Sequence, residues 1–106
     1  MKVVAKKEFE SELFLEYSST PNRTSLGMAK NTMTFYINDD GSRGAIEWEY
    51  DIVSNNDTED DGGAEDIGLW FDEGTKELRD YDGVFELPKQ AIELLEENGY
   101  NADYAK

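Results

Sequence analysis

The chain contains no cysteine and no histidine. Without cysteine there is no disulfide, no thiolate metal site and no thiol nucleophile, and an intracellular compartment is favoured. Without histidine the commonest general base and the commonest transition-metal ligand are both missing. Positive charge is scarce as well, with ten Lys and Arg against 25 Asp and Glu and a formal net charge of -15. No stretch of about 18 apolar residues could span a bilayer, and "MKVVAKKEFESELF" lacks the run of about 7 to 15 apolar residues of a signal peptide. These absences imply a soluble, cytoplasmic protein without a membrane partner. No P-loop, G-x-G-x-x-G motif or Ser/His/Asp set is present. A carboxylate pair could serve glycoside hydrolysis, but among 25 acids some pair always lies at a suitable distance. The sequence therefore predicts a protein that is not an enzyme and carries no cofactor.

With 106 residues the chain fits one domain, 1-106, and five Phe, six Tyr and two Trp supply material for one core. The charge is placed unevenly. Residues 1 to 43 carry six basic and six acidic groups, whereas residues 44 to 106 carry four basic groups against 19 acidic ones. The whole net charge thus belongs to the second part. A field of that sign repels nucleic acid and anionic membranes and attracts basic proteins.

Period-two alternation, the signature of a half-buried strand, recurs along the chain. In "EFESELFLEY" Phe9, Leu13, Leu15 and Tyr17 share one face, and Glu10, Glu12 and Glu16 share the other. "SSTPNRTSLGMAKN" reads as a loop over about 18-31. "TMTFYIN" places Met33, Phe35 and Ile37 together, and the Asp-Gly step in "DDGSRG" signals a hairpin. The next strand, "AIEWEYDIV", sets Ile46, Trp48, Tyr50 and Ile52 against Glu47, Glu49 and Asp51. "SNNDTEDDGGAED" reads as a mobile acidic loop over about 54-66. "IGLWF" turns Ile67, Leu69 and Phe71 inward and Trp70 outward. "KELRDY" then returns antiparallel, and "VFEL" supplies a further short strand.

The period changes in "LPKQAIELLEENGY", where Ala91, Ile92, Leu94 and Leu95 have helical spacing. Pro88 stands at the tolerated first helical position and Gly99 at the stop. So short a helix must pack on the sheet, with Tyr100 or Tyr104 completing the contact. The predicted fold is α+β: an antiparallel sheet of four or five strands, built of hairpins, with one C-terminal helix packed on it. Its expected core contains Ile46, Trp48, Tyr50, Ile52, Leu69, Phe71, Ile92 and Leu95.

Residues 45 to 66 hold nine carboxylates and no basic group. Laid on the calcium-loop pattern, "DTEDDGGAEDIG" matches at Asp57, Glu59, Asp61 and Gly62 but has Gly68 where the bidentate glutamate belongs, and flanking helices are not expected there. Glu47, Glu49 and Asp51 project from one strand face at intervals of about 6.6 to 7 Å, and alternate phosphates along one strand of duplex DNA are spaced by about 7 Å. If Glu10, Glu12 and Glu16 lie on the same face, two acidic rows run in parallel. Glu96 and Glu97 end the helix and Lys89 begins it, the reverse of what the helix dipole favours. Trp70, beside acids on the polar side of its strand, suits an interface anchor, whereas a structural role would bury it together with Tyr36. The candidate partner-binding residues are Glu47, Glu49, Asp51, Asp57, Glu59, Asp60, Asp61, Glu65, Asp66, Trp70, Glu96 and Glu97.

In size, acidity and lack of cysteine the chain resembles the anti-restriction and anti-CRISPR inhibitors of phages and mobile elements, several of which are DNA mimics. The resemblance implies a viral protein acting in the host cytoplasm. It implies an inhibitor that occupies the nucleic-acid-binding surface of a basic partner such as a nuclease, and that does not itself bind nucleic acid. An immunity protein against a nuclease toxin would work by the same chemistry. The alternatives are a structural or adaptor interaction module and a weak calcium-binding protein.

Overall fold

The computed structural model describes residues 1–16, 23–55, 62–84 and 86–106, without the side chains of 13–16, 23–26 and 53–55. Five strands, β1 (Lys2–Glu16), β2 (Arg23–Ile37), β3 (Arg43–Asn55), β4 (Gly62–Phe71) and β5 (Leu78–Asp82), form one antiparallel sheet in sequential order. One helix, α1 (Lys89–Glu97), follows near the C-terminus, with a short 3-10 turn at Asp103–Ala105. The α+β class is as the alternation and the late change of period indicate.

Two segments read as loops, 18-31 and 54-66, are strand over their described residues, with 18–22 and 56–61 outside the description. β2 begins at Arg23, and β3 and β4 extend to Asn55 and from Gly62. In "LGMAKN" the alternation is carried by small and polar residues: Ala29 and Asn31 are buried while Met28 and Lys30 are exposed. Glycine and asparagine weaken strand propensity, but pairing on both sides of β2 and β3 outweighs that local preference. Conversely, "VFEL" is not a strand over its described residues. Gly83 turns the chain at φ +99, against the Asp66 carbonyl, and Leu87 enters the core just before Pro88.

The β2–β3 hairpin turns at residues 39–42, as the Asp-Gly step requires. Gly41 adopts φ +76, and Asp40 Oδ1 accepts bonds from the Ser42 hydroxyl at 2.6 Å and the Ser42 amide at 2.8 Å. Those bonds, the hydroxyl's foremost, hold the Asp40 carboxyl below the usual carboxylate range.

The core lies between one face of the sheet and α1. Met33, Phe35, Ile46, Ile67, Leu69, Phe71 and Leu78 contribute from the strands, and Ala91, Leu94 and Leu95 from the helix. A helix of nine residues is not stable alone, whereas burying a leucine such as Leu94 or Leu95 is worth roughly 1.5–3 kcal/mol. Pro88 is the N-cap rather than the first helical residue. At the other end Gly99, at φ +84, permits the bonds from Gly99 N to Glu96 O and from Tyr100 N to Leu95 O that close the helix. This swings Tyr100 onto Phe35 and Phe71, each ring 5.0 Å away, while Tyr104 stays largely exposed against Tyr81.

The expected core is right at one end of the sheet and too long at the other. Trp48 and Ile92 pack at its margin, and Tyr50 and Ile52 are only half-buried and stand outside it. The helix is about 13.5 Å long and β3 about 43 Å, so α1 covers a fraction of the sheet. Beyond its reach Asn31, 2 % exposed, organises the face. Its amide donates to Ser11 Oγ at 2.9 Å, and its Oδ1 accepts the Trp48 indole N–H at 2.9 Å.

Candidate functional site

The sheet face opposite α1 is built row by row from the cross-strand register. Lys6, Thr34, Glu47 and Asp66 form one row, and Glu8, Thr32, Glu49 and Ala64 form the next. Glu10, Lys30, Asp51 and Gly62 follow. In the other direction come Tyr36, Ala45, Gly68 and Asp82, then Arg43, Trp70 and Asp80. Nine acids of this face, Glu8, Glu10, Glu12, Glu47, Glu49, Asp51, Asp66, Asp80 and Asp82, are exposed and stand against Lys6, Lys30 and Arg43.

The two acidic rows considered from the sequence do share a face. Glu8, Glu10 and Glu12 form the column on β1, and Glu47, Glu49 and Asp51 the column on β3; the side chain of Glu16 lies outside the description. β2 runs between them, so the columns are two strand spacings apart, about 9.5 Å, with successive carboxylates about 6.6 to 7 Å apart along each. An open groove of about 500 Å³ follows β2, lined among others by Glu8, Glu10, Lys30, Thr32, Glu49 and Asp51. Lys30 has Glu10 and Asp51 as its register partners on either side, with no ion pair within 4.0 Å among the described residues. The spread of the carboxylates suits a row of separate positive groups. Among the described residues no three of them gather closely enough to hold one metal ion.

Beyond the groove, past the row of Thr34 and Glu47, the same face carries aromatic rings. The Tyr36 hydroxyl donates to Glu47 Oε2 at 2.9 Å, and that bond, with desolvation and the charges of Glu47 and Glu49, pushes the phenol above its ordinary value. Trp70 lies across Gly68, where a Cβ would come within 3.2 Å of the ring, and Arg43 sits 5.6 Å from the ring centre. Both rings are half-buried on the open face, where the alternation placed them.

Of the candidate residues, Glu47, Glu49, Asp51, Asp66 and Trp70 come together here. Glu65 does not. It pairs with Trp48 on the helix side, because consecutive residues of a strand face opposite ways. Glu96 and Glu97 also lie in the helix layer and are ion-paired within the chain. Glu97 holds Lys7 at 2.9 Å and Glu96 holds Lys106 at 2.7 Å. These contacts explain the unfavourable acidic end of α1: the cations come from β1 and the chain terminus instead of the last helical turn, and Glu97 and Glu96 raise the Lys7 and Lys106 ammonium values in return. Asp57, Glu59, Asp60 and Asp61 fall outside the described residues. Glu8, Asp80 and Asp82 are the acids of this face that sequence reasoning missed. Glu8 was legible from its alternation with Glu10 and Glu12, whereas a register shift between Trp70 and Phe71 obscured the β5 pair. No helix among the described residues is long and apolar enough to cross a membrane. No family model matches the chain, and no match was found among curated proteins or solved structures.

Proposed function

We propose that the chain is an acidic binding protein that inhibits a basic, nucleic-acid-handling partner by occupying the surface on which that partner holds nucleic acid. The observation that carries this reading is the pair of carboxylate columns on β1 and β3, with a groove between them. Their pitch along the strand is close to that of alternate phosphates on one DNA strand. The strong negative field steers a basic partner toward the face, and Trp70 and Tyr36, on that face beyond the groove, add an apolar anchor of the type that dominates interface energies. Nucleic acid competes for the partner and does not bind the chain.

Reversing Glu47, Glu49 and Asp51 together to lysine tests the reading. Exposed substitutions usually cost no more than about 0.5 kcal/mol each, so the fold survives. Wild type and variant, immobilised, are challenged with the fraction of a cell lysate retained on a cation exchanger, and bound proteins are eluted with salt. The expected result is a set of nucleic-acid-binding proteins held by wild type alone, released by moderate salt and displaced by duplex DNA. Equal retention by the triple variant at low salt would show that the acidic face only confers solubility.

A further inference from the structure

The two edges of the sheet are treated differently. β5 is five residues long and the start of its flank is met by the returning chain: Glu77 bridges Asn101, and Leu78 N donates to Asn101 O and Asn101 N to Lys76 O, both at 2.9 Å. β1 is 15 residues long and is the outermost strand on its side. Its pairing with β2 is regular for the nine residues from Ala5 to Leu13, between register shifts at Val3/Ala5 and Leu13/Phe14. Alternate residues of such a strand turn their N–H and C=O groups away from the sheet, a template for one more strand.

Natural edges are usually blunted by proline, by bulges or by an inward-pointing lysine. β1 has no proline, and its bulges lie outside the regular stretch. Its inward lysine, Lys7, is engaged by Glu97 at 2.9 Å and Glu93 at 3.6 Å on α1. What guards the stretch on the open face is Lys6 at its start and then the row Glu8, Glu10 and Glu12. That row selects the occupant. An added strand places every second side chain opposite one of these glutamates, where opposite charges stabilise and like charges destabilise. A second copy would bring its own net charge of -15 to the contact.

We propose that Ala5–Leu13 is a docking edge that takes up an extended basic segment of the partner protein as a sixth strand, with Lys or Arg at alternate positions facing Glu8, Glu10 and Glu12. This rests on the reading of the partner as basic and adds to it that recognition uses the main chain. The partner's segment extends the acidic groove's sheet by one strand and anchors the partner beside it.

A synthetic peptide alternating lysine and valine is the probe, with a second peptide of the same sequence N-methylated at every other residue so that charge is kept and one pairing edge is lost. Backbone amide exchange of the isotope-labelled protein is followed by NMR. The expected result is that, at about ten times the Kd, the outward-facing amides of residues 5–13 exchange about tenfold more slowly with the first peptide and at their original rate with the second. Glu8→Gln/Glu10→Gln/Glu12→Gln weakens the first peptide's effect without abolishing the pattern. Equal effects of the two peptides would reduce the contact to charge attraction and overturn the proposal, while leaving the groove reading to the triple reversal on β3. Protection that appears with protein concentration in the absence of peptide would assign the edge to a second copy and overturn it as well.

Discussion

Replacing Trp48 with phenylalanine removes the indole N–H that Asn31 Oδ1 accepts at 2.9 Å. Asn31 is 2 % exposed, so water does not readily take the place of the lost donor. A buried acceptor left without a partner costs about 1–3 kcal/mol, and the smaller ring leaves a void at the margin of the core that adds about 1 kcal/mol. The sum, about 2–4 kcal/mol, lowers Tm by about 8–16 °C in a chain of this size. Asn31→Ala breaks the same bond from the other side and also deprives Ser11 Oγ of its donor at 2.9 Å. The two changes therefore share an interaction, and a double-mutant cycle returns a coupling of about 1–3 kcal/mol. Urea unfolding followed by far-UV circular dichroism measures it, with an unchanged m-value required for the comparison. A coupling below about 0.3 kcal/mol, the level of additive distant sites, would refute the claim that this bond holds β2 and β3 against one another.

Gly83→Ala should destabilise the protein by about 1–3 kcal/mol, measured as a lower denaturation midpoint, because φ is +99 there and a Cβ would collide with the Asp66 carbonyl. In a spectrophotometric titration of the six tyrosines, Tyr36 should ionise above the ordinary tyrosine value and return toward it in Glu47→Gln, since the neutral phenol is the donor to Glu47. Its contribution to stability is complete below the ordinary value and is lost as pH rises through the raised one; a Glu47→Gln titration identical to wild type contradicts that bond. Lys7 follows the same sign, held above its ordinary value first by the bond to Glu97, so what it adds is complete below the ordinary lysine value and fades as pH rises through the raised one. Lys7→Met should accordingly flatten the alkaline limb of the stability curve, and an unaltered limb would mean that the tie between β1 and α1 does not act in solution.

The sequence by itself determined the elements whose signals are local. Alternation in "AIEWEYDIV" and "IGLWF", the Asp40-Gly41 step, and the helical spacing of Ala91 to Leu95 with Gly99 behind it each depend on near neighbours, because side-chain direction along a strand or helix is set by backbone period. The same period separates Glu65 from Asp66, but reading 54-66 as a loop left both among the candidates until the pairing with β3 placed them on opposite faces. Tertiary structure decided what depends on partners remote in sequence. The weak strand residues of "LGMAKN" lie between β1 and β3, those of "GGAED" pair with β3, and Asn31 is made an interior residue by Trp48 and Ser11. Glu96 and Glu97 are balanced by Lys106 and Lys7, ten and 90 positions away. That the β1 and β3 acids face the same way, with β2 between them, follows only from strand order and register, which place the charge of two segments on one surface. Composition gave the charge its sign and amount; the pairing of strands gave it a geometry, since hydrogen-bonded register fixes distances between side chains that no local pattern contains.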